Sequence, residues 1–466
     1  MLLRGRRRPI PLLAAAVLFI SVISIYEVYS LHGLHFSRKS FTKNAFWPWS
    51  KYQNGTFSSS DQGHTDTAPG SLIPELANIS TTHTILLSAS RPDRRYFPII
   101  FDSVAASNPN IIPHPRQADT WIIVAQQHHD PQKDEFRYAE IACTAQFTDG
   151  ALRCIDPPSA LPIASTSGPH CTGDLEYVSN NDGPHDARVF YGPAAPYTVY
   201  GSNSAYTCFG QWMQDLRFLV DWGTAPVVDW GFRTARDLQR PAPYHPMEKN
   251  WFPFWDSHGQ IYIHHDLSPQ RVFSKLPMDG DSAVQDLGSF ARPSDDFCMA
   301  KYMPTTKRSS ESIHQATNSL LVTLCARADR ACRVDKTNTY IMTLFQHKTF
   351  DAYHSVYEPY LMLFRQDPPF DIRAISKKPF WINGRGRPGE KRPSYLPLSL
   401  ADPWNQTEMF YATSISWKSR EQTYHGYKDD VLFIAFGIED EQSAGIDIVA
   451  EDLMQDLGFC DDRRAC

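Results

Sequence analysis

An all-β body is what this chain predicts, and three observations carry the expectation. Aromatic residues make up 13% of the sequence, with 11 Trp, 21 Tyr and 27 Phe, and such side chains suit a pleated, half-buried surface. The chain also holds 35 Pro, which cut it into short segments because proline has no N–H to give to a ladder or a helix. From Thr84 onward, short apolar runs recur at fairly regular spacing between clusters of Pro, Gly, Asp and Asn. That rhythm belongs to a sandwich, a barrel or a propeller, and the length of the region accommodates a propeller of several blades best.

The first element is an apolar run from Pro11 to Tyr26, preceded by Arg4, Arg6, Arg7 and Arg8. Arginines on one flank stay cytoplasmic, so the remainder of the chain is expected to be translocated. The run falls short of the roughly 20 apolar residues of a comfortable span, and a cleaved signal peptide is the alternative. We read residues 1–34 as a cytoplasmic tail and signal-anchor, a single-pass type II transmembrane helix. Either reading places the body in the lumen of the Golgi or endoplasmic reticulum. Residues 35–83 are polar and read as a disordered stem, and residues 84–466 as the folded domain. Glycosylation acceptors stand at Asn54, Asn78 and Asn405, each followed by the required hydroxyl residue.

Strands are expected at Thr84–Ser88, Thr120–Gln126, Ala187–Tyr191, Tyr197–Tyr200, Gln260–His264 and Arg271–Lys275. Further strands are expected at Ser319–Ala326, Thr339–Phe345, Tyr360–Arg365, Asp371–Ser376, Glu408–Trp417, Asp430–Gly437 and Gly445–Ala450. Gln211–Val220 and Val449–Leu457 are the best helix candidates. Nine cysteines suit an oxidising lumen. The close pairs Cys143/Cys154, Cys325/Cys332 and Cys460/Cys466 are plausible bridges, although spacing alone does not decide pairing.

A formal net charge of −6 and a pI near 6.3 give no general attraction to nucleic acid. The sequence contains no P-loop, zinc-protease helix or serine nucleophile elbow. No cysteine spacing reads as a zinc site, and no cofactor is implied. Asp279-Gly280-Asp281 resembles a metal-binding motif of nucleotide-sugar transferases, but so short a motif in a glycine-containing loop is common by chance.

Four segments carry candidate chemistry. In His185-Asp186-Ala187-Arg188, residues two apart at a strand entry share a face, so a carboxylate and a guanidinium converge, as a structural ion pair or as a reactive acid beside an anion site. In Glu248-Lys249-Asn250, followed by an aromatic strand and then His264-His265, a lysine and one histidine can face a phosphate, or form a salt bridge and surface histidines. Asn108-Pro109-Asn110 offers short amides for sugar hydroxyls or for a turn. Gly437-Ile438-Glu439-Asp440 ends an apolar strand in carboxylates.

In this order the segments resemble the five-bladed β-propeller enzymes of the β-mannoside phosphorylase type and their β-mannosyltransferase relatives. Tyr357–Phe364 and Pro368–Ser376 resemble the blade before closure, so the likeness runs from Asn108 to Leu457. The resemblance implies Asp186 as general acid/base, oriented by Arg188. It also implies Asn108, Asn110 and Asp440 on the sugar hydroxyls, with Lys249, Asn250 and one of His264 and His265 at the phosphate. Inversion by direct displacement needs only one protein carboxylate, unlike the paired-carboxylate hydrolase scheme. Attack by water would need a second, for which Glu439 and Glu248 are the motif candidates. This chain departs from the family pattern at His185 and Ala187, and Gln126-Gln127-His128-His129 stands where an arginine is expected.

The function expected on these grounds is a lumen-facing glycosyltransferase adding mannose or a similar hexose to a glycan. Its partners would be a glycan acceptor and a nucleotide-sugar or sugar-phosphate donor. One alternative is a glycoside phosphorylase or hydrolase acting on mannosides. Another is an inactive propeller that binds glycans.

Overall fold

The computed structural model describes residues 76–129, 137–221, 231–277, 284–396 and 404–460. The expected anchor, Asn54, Asp279-Gly280-Asp281 and Cys466 lie outside the described residues. The chain separates into two compact units, Met1–Ile79 and Ser80–Cys466, and the strands described below belong to the second. Among the described residues no helix is long and apolar enough to cross a membrane.

The unit is nearly all β, built from antiparallel meanders in chain order. The first runs Ala106–Pro113, Trp121–Gln127, Glu140–Thr148 and Ala151–Cys154; the second runs His185–Tyr191, Pro196–Asn203, Phe209–Asp215 and Arg236–Asp237. A third follows with Phe252–Trp255, Ile261–Asp266 and Val272–Lys275. The next pairs Thr339–Asp351 with both Leu320–Thr323 and Glu311–Gln315, then continues through His354–Arg365 to Ile372–Ser376. The last joins Phe410–Trp417, Val431–Ile438 and Gln442–Val449, and its outer strand is Phe97–Ile100, from the beginning of the unit. Phe97–Ile100 also runs parallel to Ala151–Cys154, joining the first and last meanders edge to edge.

Packing explains why these strands read as continuous apolar runs rather than alternating ones. Ile111 and Ile123 pack with Phe97, Phe433 and Ala435 of the last meander. Their neighbours Ile112 and Ile122 point the other way, into a cluster with Val189 and Tyr191 of the second. Each face of the sheet therefore has its own core, and both must be apolar. A third cluster joins Phe252, Phe254 and Phe273 to Ile341, Phe345 and Phe364.

Buried polar side chains sew the first strands together. Asn110 donates to the carbonyls of Ala187 (2.8 Å) and Val124 (3.3 Å) and accepts from the Val189 amide at 2.9 Å. Ser319 donates to the carbonyl of Pro253 at 2.8 Å. Asn318 donates to the Ile415 carbonyl and accepts from the Ile415 amide, each at 3.0 Å. Thr413 donates to the carbonyl of Pro109.

The expected helix Gln211–Val220 is instead the strand Phe209–Asp215 followed by a single 3-10 turn, Leu216–Phe218. The Asp215 carboxylate accepts from the Arg217 amide at 2.9 Å and ends the strand there. Val449–Leu457 shortens to the 3-10 turn Ala450–Met454 before a short strand. The one long helix among the described residues, Gly288–Tyr302, was not anticipated. It is polar, carries Pro293 in its second turn, and buries only Gly288, Ala291, Asp295 and Cys298.

Cys143–Cys154 and Cys325–Cys332 are bridged as expected. Cys460 pairs with Cys298, not Cys466, because the helix lies against Ile372–Ser376, whose neighbour is the strand Leu457–Phe459. Cys171–Cys208 closes a loop of 37 residues that no short spacing could suggest.

Candidate active site

Four of the expected site residues share an unusual backbone. Asn108 (φ +56°), Asp186 (+50°), Asn250 (+60°) and Asp440 (+54°) all lie in the left-handed region. Asn and Asp tolerate this better than other residues bearing a side chain, and such conformations persist where the surroundings hold them. Asn108 and Asp186 each sit in a register shift of a first strand, between Ser107 and Asn110 and between His185 and Arg188. A bulge re-aims a side chain that a regular strand would send into the sheet.

The two bulges meet. The Asn108 carboxamide donates to Asp186 Oδ1 at 3.0 Å, and Lys249 Nζ stands 4.0 Å from Oδ2. Gly437 packs beside Asn108: a Cβ at this position would lie 2.5 Å from Asn108 Oδ1. Arg188 does not pair with the Asp186 carboxylate, although the two-residue spacing placed them on one face. The bulge turns Asp186 away, and Arg188 Nη1 donates instead to the Asp186 carbonyl at 2.9 Å and Nε to the Ala316 carbonyl at 3.1 Å. Its Nη2 reaches Asn250 Oδ1 (3.4 Å) and the Tyr411 hydroxyl (3.3 Å), and that hydroxyl also donates to Asn250 at 3.2 Å. Arg188 is therefore a buried strut joining three meanders behind the site.

The electrostatics separate two carboxyl groups. Desolvation pushes Asp186 up, but Lys249, Arg188, His185 and the Asn108 hydrogen bond together hold it below the ordinary carboxylate range. Its side chain remains 41% exposed. Asp440 is driven the other way, to about 6, by desolvation and by the negative charges of Asp186 and Glu439, against Lys348 and Lys249. At pH 6, therefore, Asp186 is ionised while Asp440 is about half protonated.

Other expected residues lie elsewhere. Asn110 is fully buried and spends its carboxamide on backbone, so it has nothing left for a sugar. His264 and His265 are also buried. His264 Nε2 accepts from Arg271 at 3.1 Å while its ring stacks on Phe252, and His265 Nε2 meets the Ser274 hydroxyl at 2.8 Å. Desolvation holds both well below the usual histidine value, so neither is a cation for phosphate. The two candidate water-activating carboxylates are occupied as well. Glu248 accepts from Arg240 at 2.9 and 3.0 Å. Glu439 accepts from the Tyr395 hydroxyl at 3.1 Å and contacts His354 at 3.1 Å.

Lys348 had no motif to announce it. Lys348, 5% exposed, carries its ammonium over the Tyr357 ring at 5.6 Å, and the Tyr357 ring meets Tyr411 edge-on at 4.9 Å. Its place on the strand Thr339–Asp351 is all that marks it. Among the described residues no group of His, Cys, Asp and Glu is arranged to hold a metal ion. Asn78 and Asn405 are exposed, as glycan acceptors must be.

No protein-family model matches the chain, and no curated protein matches it. Solved structures do. A glycosyl hydrolase from Bacteroides ovatus aligns over 78% of this chain and 90% of its own, at 10% identity and a TM-score of 0.38. The catalytic domain of a Coprinopsis cinerea GH62 alpha-L-arabinofuranosidase covers 76% and 96%, at 9% identity and 0.36. A Trypanosoma rangeli sialidase in complex with sialic acid covers 79% and 59%, at 9% identity and 0.31. Likeness this distant carries no argument about chemistry, which rests on the residues themselves.

Proposed function

We propose that the protein is a five-bladed β-propeller that acts on a glycosidic bond beside Asp186, with Asp440, Asn108, Lys249 and Lys348 around the reacting group. The observation that carries this reading is the divided pair of carboxyl groups. Two titratable side chains feel each other's charge while their surroundings drive their proton affinities apart, which is how an acid and a base are assigned within one site. Asp440 holds the proton that the leaving oxygen takes as its bond to the anomeric carbon breaks. Asp186, ionised and steadied by Asn108, takes a proton from the water that bonds to the same carbon from the opposite face. The anomeric configuration inverts. This favours cleavage over the expected transferase, because Asp440 supplies the second carboxyl as the acid and leaves Asp186 to activate the water, a role for which Glu439 and Glu248 are already occupied. The resemblance in the sequence points to a mannoside as substrate.

Transfer to phosphate or to a glycan hydroxyl remains a second reading, favoured by Lys249 and Lys348, whose ammonium groups suit an anionic donor or acceptor. Purified protein given aryl mannosides or manno-oligosaccharides, with and without phosphate, and separately a panel of nucleotide sugars, separates the two. Sugar release without phosphate, lost in Asp186→Asn, supports cleavage. Turnover only with phosphate or a nucleotide sugar supports transfer, and glycan binding without turnover in any arm sinks both. We also propose that the N-terminal apolar run anchors the body in the secretory lumen. Glycosidase-sensitive mass on Asn405 in membrane fractions tests this, and unmodified Asn405 in the cytosol would end it.

A further inference from the structure

The bulge that aims Asp186 is held from behind by two side chains of the first meander. Gln126 Oε1 accepts from the Asp186 amide at 3.0 Å, while Gln126 Nε2 donates to the Ala139 carbonyl at 3.0 Å. Glu140 Oε1 accepts from the next amide, that of Ala187, at 2.9 Å. Glu140 has no solvent exposure, and its second oxygen, Oε2, has no hydrogen-bond partner. An acidic side chain buried this deeply with half its carboxyl unpaired is costly in an ordinary core. Here both side chains end on consecutive N–H groups of the left-handed turn that carries the reacting carboxylate.

We propose that Glu140 is a positioning residue of the site, whose carboxyl group, together with the Gln126 amide, clamps the Asp186–Ala187 bulge and so sets where the Asp186 carboxylate stands between Asn108 and Lys249. The clamp works in the uncharged form. Desolvation raises the Glu140 carboxyl to about 8, with the Asp186 charge adding to the rise against the Ala187 hydrogen bond and Arg188. A neutral acid accepts the Ala187 N–H without competing with Asp186 for Lys249. An amide in its place keeps the acceptor and the neutrality, whereas an isosteric apolar side chain keeps only the volume. Misplacement of a reacting group by about 1 Å costs on the order of 100-fold in rate.

This inference rests on Asp186 being the reacting carboxylate, so the test has one arm that needs no turnover. In full-length Glu140→Gln, kcat and the acidic limb of the pH profile are expected to match wild type. In Glu140→Leu, kcat is expected to fall about 100-fold with KM little changed, and the acidic limb to move to higher pH as Asp186 loses its partners. Gln126→Leu, at a half-exposed position, is expected to move the same limb in the same direction and covers the event that Glu140→Leu does not fold. Carbon-13 NMR titration of the Asp186 carboxyl reads the same shift without substrate. If that titration is unmoved in both leucine variants, or if Glu140→Gln moves it as far as leucine does, the clamp is overturned. If it moves as expected while no glycoside is turned over, the clamp stands and the reading of the reaction falls.

Discussion

Asp186 is ionised because Lys249, Arg188, His185 and Asn108 outweigh the desolvation of its carboxylate, and the pH dependence of activity follows from that balance. The base must be deprotonated, so activity is lost as pH falls through the depressed value of Asp186. The acid must be protonated, so activity is lost as pH rises through about 6, the value to which Asp440 is driven. A bell with its alkaline limb near 6 is expected in kcat/KM, and Asp440→Asn should abolish that limb. Asp186→Asn should reduce kcat by about 10²–10⁴-fold, the usual worth of a general base. Asn108→Ala should move the acidic limb upward. At Glu140, folding raises the carboxyl from 4.5 to about 8, so the folded state holds a proton that the unfolded chain releases above 4.5. Its stabilising contribution is complete at lower pH and disappears as pH climbs through about 8. Urea melts of wild type should therefore weaken relative to Glu140→Gln across that window, and parallel curves would refute the assignment. Part of this scale was legible through the family resemblance, which names Asn108, Asp186, Lys249 and Asp440, and the structure brings Asn108 and Lys249 to the Asp186 carboxylate. His264, His265 and Asn110 were chosen on the same grounds and turned inward. Side-chain direction at a strand end depends on bulges, and a bulge has no signature in a single sequence.

The elements themselves were legible wherever a strand packs on both faces, because continuous apolar runs such as Trp121–Ala125 and Leu432–Phe436 allow little else. They were illegible where polar residues are consumed by the architecture. Ala106–Pro113 holds Asn108, Pro109 and Asn110 and reads as a turn, yet it is the inner strand that brings Asn108 to the site. Gly288–Tyr302 lacks an apolar stripe because its buried face is held by a charge: Asp295 accepts from Arg271 at 2.8 Å and from the Ile372 amide at 2.8 Å. Removing one partner of such a buried pair costs roughly 3–5 kcal/mol. Asp295→Ala should therefore lower the thermal midpoint by several degrees while leaving the pH profile unmoved. On the closing strand, Gly437→Ala would push a methyl group into Asn108 Oδ1. It should depress kcat much as Asn108→Ala does, although it touches neither carboxyl group.

Across the folded unit, buried side-chain amides tie one meander to the backbone of another, as Asn318 does with Ile415. Asn318→Leu keeps the side chain's bulk but leaves the Ile415 amide and carbonyl without their partner, and an unpaired buried group costs about 1–3 kcal/mol. Because that contact joins sheets distant in sequence, its loss is expected to lower a single cooperative denaturation midpoint. Two separate transitions would show instead that the sheets melt independently. The overall β class followed from composition and spacing; the arrangement of sheets did not, since it depends on which amide side chain meets which backbone across hundreds of residues.

The last sheet borrows its outermost strand from Phe97–Ile100, near the beginning of the unit. A ribosome releasing this chain therefore makes the clasp first and its keeper, Gln442–Val449, last. Until Phe433 and Ala435 are made, the apolar flank formed by Phe97, Ile111 and Ile123 lacks the cover that the last meander gives it. A stop codon even a short way before Val431 would leave the earlier sheets with one side still bare.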